Sequence, residues 1–302
     1  MFLALVACAT LPEQAVMAKA RQTGNSPSQK DFQKAKKELS SDNYLLYRIV
    51  EKISRSNGLA SYSWRVRIKD QYALNGFADE TNLIIVPKPA LDQLSGDIDA
   101  VACLVSREIS HHVRKHQAIG PAEQEAMKQK FQKEAQEEAT NTRMGGALLG
   151  GIFNGVLNGF GVPSVNTNSI TEGFVARIYQ KKTEELRRKM AETSARIDKE
   201  ADEDAFIYLV RADRDPKGCI RYLDVISRDP KAEPDPSNPQ IPGRLQSYRE
   251  FMETETPAKF KKEGKAYLAR NAKPLSYAII DNGTTIRIDS SRGERTASVD
   301  KF

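Results

Sequence analysis

The sequence predicts an α+β fold, mostly helical, with a small sheet. Three observations carry this. Apolar residues recur every three to four positions at Ile98, Val101, Ala102, Val105 and Ile109, the spacing of a helix with one face packed inward. Tyr62, Trp64, Val66 and Ile68 alternate with Ser63, Arg65, Arg67 and Lys69, the period of a half-buried strand. Near the C-terminus, Asp281-Asn282-Gly283 separates two β-like runs in "LSYAIIDNGTTIRID", a strong hairpin signal.

The elements follow in order. The start, "MFLALVAC", is apolar, and Leu5-Val6-Ala7-Cys8 has the order of a bacterial lipoprotein cleavage box, in which the Cys is lipidated. The apolar run is short and no Lys or Arg precedes it, so an ordinary apolar N-terminus is the alternative. Residues 10–30 are polar and turn-rich, as a tether would be. Asp31 to Ser56 reads as one helix stopped by Asn57-Gly58. After the alternating strand, a turn at Asn75-Gly76 leads to a more fully buried strand in "NLIIVP". Ser95 or Asp97 caps the helix that carries Ile98 to Ile109. Pro121–Arg143 is a charged helix.

Residues 144–171 form the one long charge-free stretch. Its glycines, with Asn154 and Asn158, argue against a membrane span. It reads as a loop touching membrane or substrate, or as a plain insertion. Thr171 to Ala212 is helical, in two pieces, and "DRDP" ends it. Helices at Gly218–Ser227 and Leu245–Met252 flank a proline-rich loop. The domain division is then 1–30 for the apolar start and tether, 31–254 for the main domain, and 255–302 for a lysine-rich linker with an appended hairpin unit.

The 302 residues are enough to bury a sizeable core. Net charge is +6, from 46 basic and 40 acidic side chains, but the signs are interspersed and form no nucleic-acid stripe. The three cysteines, Cys8, Cys103 and Cys219, contain no C-x-x-C pair, which argues against a cysteine zinc cluster; a Cys103–Cys219 disulfide is compatible with the sequence.

All three histidines fall in "LVSREISHHVRKH". A His-Glu-x-x-His helix places two imidazoles on one face to bind Zn²⁺, with the Glu as general base on the metal-bound water. Here Glu108 and His111 hold the base and second-ligand positions, and Arg107 holds the first. His112 and His116 are also spaced i, i+4, but no Glu follows His112.

Around this helix the chain resembles metallopeptidase family forty-eight, the HtpX and CAAX prenyl protease type, in its periplasmic, lipoprotein-like branch. "SWRVRIKDQYALNGFADETNLIIVP" is similar to the family's paired strands, with the Asn-x-Phe-Ala element as Asn75, Gly76, Phe77 and Ala78. "SGDIDAVACLVSREISHHVRKH" is similar to its active-site helix, and "DKEADEDAFIYLVRADRDPKG" to the helix that supplies the third ligand. "PDPSNPQIPGRL" stands where the family has His-Pro-Ser followed by an Arg. The resemblance covers roughly Tyr44 to Arg249 and implies a zincin-like fold, zinc as cofactor and a polypeptide substrate laid along the Asn75–Ala78 strand. It places metal ligands at His111 and Asp198, the general base at Glu108 and an oxyanion-side residue at Asp235.

The departures fall on the chemistry. Arg107 replaces the first zinc His, Asp198 a Glu, and Asp235 a His. A guanidinium has no lone pair to give. At about 4 Å from a dication and an effective dielectric near 20 it costs roughly 8 kcal/mol. The residues therefore predict that no ordinary catalytic zinc binds, and that Arg107 pairs with Glu108 or Asp198 instead. The rest of the acidic run, Glu200, Glu203 and Asp204, with Asp202 in doubt between the two, reads as a solvated helix face. Three functions are expected in this order: an inactive family member of the bacterial envelope that grips unfolded or membrane proteins by strand addition; an active zinc endopeptidase using Glu108; and a lipid-anchored structural protein.

Overall fold

The computed structural model describes residues 27–71, 73–74, 76–78, 81–141, 170–228 and 241–289. Cys8, Asn75, Asp235 and nearly all of the Gly-rich stretch lie outside them. The architecture is α+β, mostly helical with one mixed sheet. Helices α1 (Pro27–Glu38) and α2 (Ser41–Ser56) lead into strands β1 (Trp64–Lys69), β2 (Phe77–Ala78) and β3 (Leu83–Pro87). Then come α3 (Lys88–Gln93), α4 (Ile98–Val113), α5 (His116–Asn141) and α6 (Ile170–Arg211). Helices α7 (Gly218–Ile226), α8 (Ile241–Thr254) and α9 (Pro257–Arg270) precede β4 (Ser276–Ile280) and β5 (Thr285–Asp289).

The sheet order is β2-β3-β1-β5-β4. β1 runs parallel to β3 and antiparallel to β5, with Val66 beside Ile84 on one side and Ile286 on the other. Trp64, Val66, Ile84, Val86, Ile286 and Ile288 are all buried, so one face of the sheet is core. Helices α2 and α4 pack on the sheet, and α6 and α7 pack on α4. The result is an α4 that is buried along most of its length, from Ala100 to Ser110. Asp97 caps it by accepting the Ala100 N–H at 3.1 Å. It ends at Val113, where Lys115 takes φ 58° and turns the chain into α5.

Four expectations change. The Asp31–Ser56 helix is two helices, because Ser40 accepts the Asn43 N–H and caps a new start at Ser41. The Thr171–Ala212 stretch is one helix of 42 residues, about 63 Å long at 1.5 Å per residue. No proline interrupts it; what changes along it is the partner, α5 for the first part and the core beside α4 for the second. The lysine-rich linker is α9, with Pro257 in its first turn and the buried pair Phe260 and Gly264 one turn apart. A Cβ on Gly264 would stand 2.0 Å from the Arg211 carbonyl oxygen, so the glycine is what lets α9 cross α6.

The C-terminal hairpin is not appended. β5 pairs with β1 at the centre of the sheet, and Phe260, Leu275, Ile286 and Ile288 share one core with Leu46, Trp64 and Leu104. Residues 257–289 therefore belong to the main body. The Cys103–Cys219 disulfide is formed and joins α4 to α7.

Candidate functional site

Helical spacing brings the site together from three directions. Arg107, Glu108 and His111 come from the buried turn of α4. Asp198 and Asp202, four residues apart on α6, face them, and Arg244 enters from α8. Arg107 is only 3% exposed. Its Nη2 donates to Asp198 Oδ1 at 2.6 Å and its Nε to Asp202 Oδ1 at 2.6 Å. Arg244 donates to the same Asp202 carboxylate twice, from Nε to Oδ2 and from Nη2 to Oδ1, both at 2.9 Å. Tyr222 of α7 lies over the Arg107 guanidinium at 6.0 Å.

Two guanidiniums and two carboxylates balance in charge. Burial would raise the Asp202 carboxyl, but Arg107 and Arg244 outweigh it and hold it below the usual carboxylate range. Burial would likewise lower Arg107, and Asp202 and Asp198 overcome that, so the guanidinium stays charged. Arg107 thus pairs with Asp198, as its charge predicts, and with Asp202. No ion pair joins it to Glu108 among the described residues.

Glu108 is different. It is 97% buried by its 3% exposure, and it lines a cavity of about 350 Å³ together with Gly76, Ala78, His111 and Arg244. A Cβ on Gly76 would come 2.9 Å from Glu108 Cγ, so the backbone at Gly76 lies directly against this side chain. Burial pushes Glu108 up to about 7; Asp198 adds to this, and Arg107, Arg244 and the Ala78 backbone N–H work against it. His111 is held well below its ordinary range by burial first and by Arg107 second, so it is a neutral imidazole.

The raised Glu108 has a measurable consequence. An unfolded Glu titrates near roughly 4.3. Between that value and 7 the native state holds a proton that the unfolded state has lost, so stability falls as pH rises through this window. Glu108→Gln should therefore be more stable than the wild type by about 1–3 kcal/mol at about pH 8, and nearly equal to it near pH 4. Urea denaturation at the two pH values checks this; equal stability at the higher pH would mean the carboxyl is ordinarily solvated.

The seam between α4 and α6 continues past this quartet. Arg114 donates to both oxygens of Asp204 at 2.6 and 2.9 Å, and Ser110 Oγ donates to Asp204 at 2.7 Å. His116 Nε2 lies 3.1 Å from Glu200, and its Nδ1 3.1 Å from His111 Nδ1. Asp202, Asp204 and Glu200 are therefore seam residues, not a solvated face; Glu203 keeps a longer pair with Lys199. The i, i+4 pair His112 and His116 does not converge, because the turn at Lys115 puts them on different helices. His112 Nε2 meets the Leu83 carbonyl at 3.0 Å, beside Trp64.

A zinc ion needs lone pairs from nitrogen, oxygen or thiolate sulfur. Here Asp198 Oδ1 and both oxygens of Asp202 accept guanidinium N–H groups, and Arg107 supplies charge without a lone pair. Among the described residues no group of three or more His, Cys, Asp or Glu side chains is placed to hold a metal. As paired here, Arg107, Asp198 and Asp202 do not fit a catalytic zinc. Sequence reasoning missed the depth of Asp202 and the part played by Arg244. The spacing Asp198-x-x-x-Asp202 on one helix face was the signal for the first; for the second there was only the Arg that follows the proline-rich loop. The side chain of Phe77 and the residues Asn75 and Asp235 lie outside what is described.

Compared with known proteins, no family model, no curated protein and no solved structure matches the chain.

Proposed function

We propose that this chain is a metallopeptidase-like protein of the bacterial cell envelope, with a zincin-like helix pair at its centre, that has exchanged metal for a guanidinium and binds polypeptide without hydrolysing it. The observation that carries this reading is Arg107, buried at the first-ligand position of α4 and bonded to both Asp198 and Asp202. The client is an extended segment of an unfolded or membrane protein. It adds to the edge of β2, beside the cavity that Gly76, Ala78, Glu108 and His111 line. A disulfide between two fully buried cysteines suits an oxidising compartment such as the periplasm. Attachment to the membrane surface would come through Cys8. Among the described residues no helix is long and apolar enough to cross a membrane.

Zinc analysis and casein cleavage on the purified chain test the reading. The expected result is no stoichiometric zinc, no cleavage, and saturable binding of fluorescent unfolded peptides that Gly76→Val weakens. One zinc per chain, with casein cleavage abolished by Glu108→Gln, would establish the active endopeptidase instead. No zinc and no peptide binding would leave an anchored structural protein.

A further inference from the structure

The charges around the cavity balance without Glu108. Arg107 and Arg244 are taken up by Asp198 and Asp202, two cations on two carboxylates. Glu108 is a third carboxyl on the cavity wall, and among the described residues it makes no ion pair. It accepts the Ala78 backbone N–H. A carboxylate offers about four lone-pair sites, so one such bond leaves most of them open. Asp198 lines the same cavity, and among the described residues it gives only Oδ1 to Arg107. An anion entering here meets guanidiniums that are already neutralised; a cation meets an uncompensated carboxylate. A bare ion is a poor candidate for that cation, because among the described residues no three acid, His or Cys side chains converge as it requires. A cation carried on a side chain needs only one carboxylate.

We propose that the cavity is a pocket for one basic side chain of the client, lysine or arginine, whose cation takes Glu108 as its counter-ion. This rests on the strand-addition reading above and names what that site selects. The approach is short. A Cβ on Gly76, the residue before β2, would stand 3.0 Å from Glu108 Oε1. A client strand lies one inter-strand spacing away, about 4.8 Å, within the length of a lysine or arginine side chain. The cavity, about 350 Å³, has room for such a side chain. Burial makes the bare Glu108 carboxylate costly, and an incoming cation offsets that cost in place of a proton. A charge-assisted bond of this kind is worth about tenfold or more in affinity. The chain as a whole carries a net charge of +6, so general attraction works against a basic client and cannot imitate the effect.

Fluorescence anisotropy with a set of extended peptides tests this. The peptides carry a label at one end and an amide at the other, and differ only at a central residue: lysine, arginine, norleucine or glutamate. At about pH 8 Glu108 is ionised. There the lysine or arginine peptide should bind the wild type at least about tenfold tighter than the norleucine peptide, with the glutamate peptide weakest. Glu108→Gln should remove the preference, bringing the ratio of basic to norleucine affinity close to unity. If Glu108→Gln does not fold, the peptide series on the wild type decides alone. Equal affinity for the basic and norleucine peptides overturns the pocket and leaves strand addition standing. So does a glutamate peptide that binds tightest, or a basic preference that a folded Glu108→Gln keeps. If none of the peptides binds, the pocket and the strand-addition reading fall together.

Discussion

Arg107→Met should destabilise the chain by about 3–5 kcal/mol, because it removes one partner from a buried charge cluster and leaves the other charges behind. The geometry says which charges suffer. Asp202 keeps the two bonds from Arg244, but Asp198 loses the guanidinium that takes its Oδ1. The cluster then holds two carboxylates and one cation where the folded chain had two of each. Asp202→Asn should also destabilise, with the excess charge reversed, leaving Arg107 and Arg244 with Asp198 alone between them. Because both substitutions touch one network, their effects should not add, and the double variant should be less damaged than the sum by more than about 1 kcal/mol. Urea denaturation of the four proteins measures the coupling. Additive losses would mean that Arg107 packs in the site without acting as its counter-ion.

The pairing also has a pH signature. Asp202 is held below the ordinary carboxylate range by Arg107 and Arg244, so its contribution is fully present above the unfolded value of roughly 3.9 and is lost as pH falls through the lower folded value. This acid-side loss and the Glu108 slope run in opposite directions and occupy different windows. A stability profile therefore separates the paired carboxylate from the solitary one.

What the sequence made legible was periodicity and charge. Trp64 and Val66 alternate with half-buried arginines and do form the strand, and the apolar face of Ile98–Ile109 does define the helix that carries the site. An Arg at a ligand position predicted a carboxylate partner by charge alone, and Asp198 is one. Other features depend on tertiary partners that no local pattern encodes. α9 looks like a linker because its closest approach to α6 is made at a glycine, and Phe260 is the one buried apolar side chain of the helix beside it. The acidic run on α6 looks solvated because Arg114, Arg244 and His116, which bury or bind it, lie far away in the chain. β5 reads as half of an isolated hairpin because its second neighbour, β1, lies more than two hundred residues earlier.

Removing the Cys103–Cys219 disulfide should cost a further large share of stability. The bond closes a loop of 116 residues, for which chain entropy gives about 5 kcal/mol, and native disulfides of this kind are worth about 2–5 kcal/mol in practice. Both cysteines are fully buried, so a reductant reaches them only when the chain opens. Cys103→Ala with Cys219→Ala should therefore lower the urea midpoint at once, while reductant added to the wild type should act slowly and faster in urea. The loss should also reach the site. Cys103 lies one helical turn before Arg107 on α4, and Cys219 one turn before Tyr222 on α7. Gly218 sits so close to α4 that a Cβ there would fall 2.4 Å from the Asp99 backbone, so the two helices touch where the bond ties them. Freed of the bond, α7 can lift and carry Tyr222 off the Arg107 guanidinium. Arg107→Met should then cost less in the disulfide-free background than in the wild type. If it costs the same, the covalent tie and the charge cluster stabilise the chain independently, and α7 is held in place by its own packing.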